Sequence, residues 1–121
     1  MPTAKLRKLS TAKTVSPVAA STAAAGSTYA DAGALPAGTS SIYWVSGADD
    51  TKGVILDVAD LIDGRALVVA NTVSNKILKV YAPAGGTING GAANGAYSTP
   101  SGCSACLQCV DAAANTWKAH P

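Results

Sequence analysis

From residue 40 onward, short runs of branched and aromatic residues alternate with stretches of Gly, Asn, Asp and Pro. Runs of this kind, bounded by turn-forming residues, are typical of β-strands. They predict seven strands, at residues 41–46, 53–56, 65–71, 76–82, 96–98, 104–111 and 116–119. Several short strands at this spacing favour an all-β fold, either a small β-sandwich or a barrel-like domain.

Two local features refine this prediction. The strands at 65–71 and 76–82 are separated by Thr72-Val73-Ser74-Asn75, and we expect them to form a hairpin. In the segment 57–64, apolar side chains occur at positions i, i+3 and i+4, which predicts a helical turn. A segment this short does not form a stable helix by itself.

The N-terminal third has a different composition. Residues 1–38 are dominated by Ala, Ser, Thr, Pro and Gly, and few of their side chains are large enough to anchor a core. We expect an extended or disordered N-terminal arm over residues 1–38, followed by a β-rich domain over residues 39–121. Four isolated apolar side chains suit an arm that lies along a groove, and they are Val15, Val18, Tyr29 and Leu35.

The core of such a domain is small. Hydrophobic residues make up 48% of the chain, but 25 of its 121 residues are alanine, only 23 are Leu, Ile or Val, and Phe is absent. Large side chains supply most of the free energy of burial, roughly 1.5–3 kcal/mol each. We therefore expect the chain to complete its core against copies of itself or against a partner.

Basic residues are concentrated at the N-terminus. The first thirteen residues contain Lys5, Arg7, Lys8 and Lys13, and no acidic residue precedes Asp31. Such an arm can bind nucleic acid, an anionic membrane or an acidic protein surface, or it can be a solvated tail. No run approaches the roughly 18 apolar residues that cross a bilayer, and we expect no membrane partner.

Three cysteines, Cys103, Cys106 and Cys109, have C-x2-C-x2-C spacing. Structural zinc needs four ligands, and the only histidine is His120. On a strand, Cys103 and Cys109 would face one side and Cys106 the other, so one ion could not bind all three. We interpret them as small buried thiols. A metal or disulfide shared across an oligomer axis, and an independent metal site, are the alternatives.

The sequence predicts no catalytic site, no metal site and no cofactor. A Ser or Cys nucleophile needs a base within hydrogen-bond reach, and the chain has one histidine and no glutamate. Asp57, Asp60 and Asp63 have helical spacing but lack the alternating pattern of a calcium loop. We interpret them as a solvated polar face.

The large aromatic residues are the remaining anchors. Basic residues are not interleaved with them, which argues against base stacking and against a nucleic-acid partner. We expect them in the core or at a subunit interface, because their polar tips suit a half-buried position. The candidates for an oligomer interface are Tyr43, Trp44, Tyr81, Tyr97 and Trp117.

An ordered series of short motifs spans residues 53–119. They are Val68-Val69-Ala70-Asn71-Thr72, Leu78-Lys79-Val80-Tyr81-Ala82-Pro83, Gly86-Thr87-Ile88-Asn89-Gly90, Ser101-Gly102 and Asn115-Thr116-Trp117. In this order they resemble the head decoration (cement) proteins and other virion structural proteins of tailed bacteriophages. The resemblance does not extend to the N-terminal forty residues.

The resemblance implies a non-enzymatic role in the virion. Proteins of that group are β-rich, usually trimeric, and bind assembled capsids. We therefore expect a homotrimer on the capsid surface that binds the major capsid protein, bridges capsomers and is synthesised in the host cytoplasm. The candidates for capsid contact are Lys5, Arg7, Lys8, Lys13, Val15, Val18 and Tyr29. The alternatives are a receptor- or glycan-binding module of a phage fibre or tail and a small cysteine metal or redox protein.

Overall fold

The computed structural model describes residues 20–36 and 42–120, which form ten β-strands and one 3-10 helix. The strands are β1 (Ala20–Ala23), β2 (Gly33–Ala34), β3 (Ile42–Ser46), β4 (Gly53–Ile55), β5 (Ala66–Asn71), β6 (Leu78–Tyr81), β7 (Thr87–Ile88), β8 (Ala96–Thr99), β9 (Ser104–Asp111) and β10 (Thr116–His120). The 3-10 helix spans Val58–Asp60. The prediction of an all-β fold is confirmed.

The strands form two sheets, and the chain passes from one to the other after almost every strand. The six-stranded sheet has the order β1-β3-β5-β9-β10-β7, and the four-stranded sheet has the order β2-β4-β6-β8. Among the first six strands, β1, β3 and β5 are parallel neighbours, and so are β2, β4 and β6. Each circuit of the chain stacks on the previous one, so the arrangement is solenoid-like.

This topology differs from the predicted sandwich or barrel, which the structure does not clearly form. Parallel neighbours need a long crossover, and here the crossover contains a strand of the other sheet. The predicted hairpin of residues 65–71 and 76–82 is wrong, because β5 and β6 lie in different sheets. Both edges of β5 are occupied, by β3 and β9, while β6 pairs with β4 and β8.

The segment expected to be a hairpin loop is a corner between the sheets. The side chain of Asn71 is buried there, and its Nδ2 donates to the carbonyl of Lys76 at 2.7 Å. Its Oδ1 accepts from the N–H of Val73 at 3.1 Å. The hydroxyl of Thr72 donates to the carbonyl of Val45 at 2.8 Å. These bonds turn the chain away from the six-stranded sheet.

The β-rich unit begins earlier than the predicted boundary at residue 38. β1 pairs with β3 and β2 pairs with β4, so both belong to the sheets rather than to an arm. The side chains of Ala24 and Leu35 are buried in the common core. Residues 1–19 and 37–41 lie outside the described residues, and an arm over residues 1–19 stays a prediction.

The three spaced aspartates do not form the predicted solvated face. Asp57 caps the 3-10 helix by accepting a backbone N–H at 2.8 Å. Asp60 is buried, and its Oδ1 accepts from Nε of Arg65 at 2.8 Å. Asp63 accepts from the N–H of Ala112 at 2.8 Å. Each carboxylate has its own structural partner, because one 3-10 turn replaces the longer helix that the spacing assumed.

Inward-facing side chains of both sheets form one core. In β3, Tyr43 and Val45 are fully buried, while the residues between and beside them are exposed. The largest fully buried side chains are Trp117, Tyr43, Leu35, Leu67, Leu78 and Leu107. The few bulky residues of this alanine-rich chain are thus concentrated inside, where each contributes most to stability.

Candidate functional site

The outward side of the six-stranded sheet carries an exposed apolar patch. Ile42 of β3 lies opposite Val68 of β5, which lies opposite Cys106 of β9. In the next row, Trp44 lies opposite Ala70. Ile42 and Trp44 are 41% and 49% exposed. We call this surface the outer face and define it by Ile42, Trp44, Val68, Ser104, Cys106, Gln108, Lys118 and His120. Ala70, between Trp44 and Ser104 on the same side, is only 5% exposed.

Strand alternation produces the outer face. In β3, the buried Tyr43 and Val45 fix the opposite direction for Ile42 and Trp44. Parallel pairing in register then aligns the outward residues of β5 with them. Apolar side chains held together on an exposed sheet surface are candidates for contact with another molecule.

The cysteines occupy three different environments. Cys109 points into the core and is 1% exposed, whereas Cys106 lies on the outer face. The predicted opposite orientation of these two is confirmed. Cys103 is exposed in the turn before β9, outside the strand, so the prediction that it shares a face with Cys109 is wrong. No group of three or more potential metal ligands is found within residues 20–36 and 42–120.

The environment of Cys109 suppresses its ionisation. Burial raises the pKa of its thiol above the usual value of 9.0, and the negative charge of Asp63 acts in the same direction. Since the thiolate is the nucleophile and the metal ligand, Cys109 is poorly suited to either role.

Most of the aromatic interface candidates are committed to the fold. Tyr43, Tyr81 and Trp117 are at most 4% exposed and have no surface to offer a second subunit. The hydroxyl of Tyr43 donates to the carbonyl of Pro36 at 3.0 Å, and Nε1 of Trp117 donates to Oδ1 of Asn115 at 3.1 Å. Their polar tips are satisfied inside the chain instead of at an interface.

The other two aromatic candidates keep some exposed surface. Tyr97 is partly buried and packs against the core, so only part of its ring reaches the surface. Trp44 lies on the outer face and is the most exposed of the five. Of the predicted interface residues, Trp44 is therefore the one whose ring can contact another subunit.

Of the seven capsid-contact candidates, the structure describes one. Lys5, Arg7, Lys8, Lys13, Val15 and Val18 lie outside the described residues. Tyr29 is half-buried in a turn. Oδ1 of Asp31 closes this turn by accepting from the N–H of Thr28 at 2.9 Å and from that of Ser27 at 3.1 Å. These bonds lower the pKa of Asp31 below 3.8.

Among the described residues, a shallow depression of about 420 Å³ offers hydroxyls and a surface ion pair. Its lining is Asp50, Asn75, Lys76, Ile77, Ser98, Pro100 and Ser101. Oδ2 of Asp50 lies 3.7 Å from Nζ of Lys76, and both side chains are about half exposed. Oδ1 of Asp50 already accepts from the N–H of Ile77 at 2.7 Å. The acidic group of this depression therefore has a structural role.

Another depression, about 220 Å³, lies where β7 meets β10. Polar and apolar groups line it together, and they are Thr87, Asn89, Gly90, Val110, Thr116, Trp117 and Lys118. The amide of Asn89 is used within the fold, since its Nδ2 donates to the carbonyl of Ala119 at 2.8 Å and its Oδ1 accepts from the N–H of the same residue at 2.9 Å.

Sequence reasoning missed the outer face as a unit. The alternation of residues 42–46 does place Ile42 and Trp44 on one side, and this signal was available. Alternation does not predict which residues of β5 and β9 lie beside them. Register between parallel strands depends on the length of a whole circuit of the chain, which no local motif specifies.

Comparisons of the chain with protein-family models, with curated proteins and with solved structures find no match. The resemblance to virion proteins therefore depends on the short motifs alone and stays a hypothesis. In the part of the chain that the structure describes, no helix is long and apolar enough to cross a membrane.

The three thiols should differ in their rates of alkylation. We expect Cys103 to react first with iodoacetamide at pH 8, Cys106 more slowly and Cys109 slowest, because burial limits access to Cys109 and raises its pKa. Site-resolved mass spectrometry over time measures the three rates. In denaturant the rates should converge. Equal rates for Cys103 and Cys109 in the native protein would contradict this placement of β9.

Proposed function

We propose that the protein is a phage capsid decoration protein, which binds the outer surface of the assembled head and bridges capsomers. The observation that carries the proposal is the exposed apolar patch at Ile42 and Trp44, a surface suited to protein contact. The motif order within residues 53–119 and the basic N-terminal segment point in the same direction. Such a role needs neither a catalytic residue nor a cofactor.

The proposed mechanism is mass action. A ligand that binds the assembled shell and not its separated subunits stabilises the shell against opening. In this proposal the N-terminal segment contacts the major capsid protein, with Lys5, Arg7, Lys8 and Lys13 facing acidic groups of the shell. Copies bound side by side on the shell would present several such segments and bind more tightly by avidity. The resemblance implies three copies, and this number stays a prediction.

The structure sharpens the test of the N-terminal segment, because a truncation must end before β1. A variant without residues 2–19 should fold normally, since both sheets are intact. We expect it to bind undecorated heads about tenfold or more weakly, because four surface charge contacts of roughly 0.5 kcal/mol each are lost. Co-sedimentation with heads over a concentration series gives the occupancy, and circular dichroism checks the fold.

A full-length variant with Lys5, Arg7, Lys8 and Lys13 all changed to Gln is the matched control for charge. It should bind heads nearly as weakly as the truncated chain does. The difference in affinity from the unmodified chain should decrease as the salt concentration rises, since salt screens exposed charges. Undiminished occupancy of heads by the truncated chain would refute the proposed role of this segment.

A receptor- or glycan-binding module of a phage fibre or tail is the second candidate. The observation that favours it is Trp44, which is 49% exposed on the outer face of the six-stranded sheet. An exposed aromatic face can stack against a sugar ring, with its edge and polar tip free for further contacts.

Cell binding separates the two functions. A glycan-binding module should bind host cells in the absence of heads, Trp44→Ala should abolish this binding, and Ile42→Ala should preserve it. Flow cytometry of cells with fluorescently labelled full-length chain measures the effect. If the protein is a decoration protein, the unmodified chain, Trp44→Ala and Ile42→Ala should all show no specific binding to cells.

A further inference from the structure

A cysteine and a histidine lie side by side on the outer face. Cys106 of β9 is directly opposite His120 of β10 in the antiparallel pair. Alternation points both outward, since the neighbouring Leu107 and Ala119 are buried. Directly opposite residues of such a pair have Cβ atoms about 4.5–5.5 Å apart. Cys106 is not in a disulfide.

These two side chains are suited to one transition-metal ion. Thiolate and imidazole are preferred ligands of Zn²⁺, with bonds of about 2.3 Å to sulfur and about 2.0–2.1 Å to nitrogen. Side chains of adjacent residues on the same face of a sheet can bind one ion at these distances. The pair therefore provides two adjacent ligands on a rigid β-ladder.

We propose that Cys106 and His120 form half of a tetrahedral Zn²⁺ site, which the same pair of a second copy of the chain completes. A structural zinc site needs four protein ligands. Within the described residues, no third potential ligand lies with this pair. A two-fold axis through the ion turns two ligands into four, as an isologous dimer requires.

The spacing of packed sheets agrees with this arrangement. Sheets that pack face to face are about 10 Å apart, so an ion on the axis lies about 5 Å above each sheet. The distance from the sheet to the ion is spanned by a cysteine side chain together with a sulfur–zinc bond of about 2.3 Å. The zinc ion would thus fit between two outer faces without distortion of either sheet.

The size of the outer face explains why the dimer should need the metal. Six strands about 4.8 Å apart and about five residues long form a face of roughly 29 by 17 Å, or about 500 Å² per copy. Two such faces bury about 1,000 Å², below the 1,200–2,000 Å² of stable interfaces. Ile42, Trp44 and Val68 would exclude water beside the ion, but they are insufficient alone. This inference does not depend on capsid binding.

The test uses the full-length reduced chain, ZnCl₂ as the probe and a reductant that does not bind zinc. Without metal, sedimentation equilibrium should give the monomer at micromolar concentration. Addition of zinc should give a dimer with one ion per two chains by native mass spectrometry, and EDTA should restore the monomer. Co²⁺ in place of zinc should give the thiolate charge-transfer band of a tetrahedral site.

Single substitutions identify the ligands. Cys106→Ser and His120→Ala should each weaken zinc binding more than tenfold, since loss of even an outer-shell partner costs that much. Both should lose the zinc-dependent dimer. Cys103→Ser is the matched control, because Cys103 is exposed but lies outside the outer face. It should bind zinc and dimerise like the unmodified chain, and circular dichroism should show all variants folded.

Several results would overturn the proposal. The proposal fails if zinc does not bind, if each monomer binds one zinc ion, or if zinc produces a trimer. It also fails if a dimer persists in EDTA and separates only on further reduction, because a disulfide would then join the two copies. Dependence of the zinc dimer on Cys103 would also overturn it, because the ligands would then lie at the turn before β9.

Discussion

Parallel pairing in register is the constraint on which the rest of the structure depends. β3 pairs with β5 in one sheet and β4 with β6 in the other, so Tyr43 stacks beside Val69, and Val54 beside Val80. All four side chains are completely buried. A shift of one residue in either ladder would exchange the buried and exposed sides of a strand. The same register therefore determines both the core and the outer face.

The corner at Asn71 shows how the chain keeps this register. Its carboxamide bonds join the end of β5 to the start of the next circuit and to the carbonyls of Thr99 and Pro100 at 3.4 and 3.3 Å. A buried amide with several partners specifies one path for the backbone, because any other path leaves it unsatisfied. The chain thus leaves the six-stranded sheet at a fixed point, and the next strand enters the other sheet.

Sequence reasoning recovered seven of the ten strands, and β9 has the predicted bounds. It missed the short strands β1, β2 and β7, of which β1 and β2 are also poor in large side chains. It also failed for the hairpin, since adjacent strands in sequence usually pair and nothing local indicates a change of sheet. In the candidate site, strand alternation is enough to predict that Trp44 and Cys106 point outward. It does not predict that Cys106 lies opposite His120, because that depends on the register between β9 and β10.

These relations connect the core to the proposed function. The bulky residues Tyr43, Tyr81 and Trp117 are buried inside the chain, so among the described residues we propose the outer face for contact with other subunits. We therefore propose that the protein assembles through the outer face.

Hydroxyl-radical footprinting of the full-length chain, as the isolated monomer and in its assembled form, tests this claim most directly. Side chains of the outer face should be protected on assembly, above all Trp44 and Ile42. Val58 and Ile62 are exposed but lie outside the outer face, and their oxidation should not change. Equal oxidation of Trp44 in both forms, or protection of Val58 and Ile62 instead, would contradict the account.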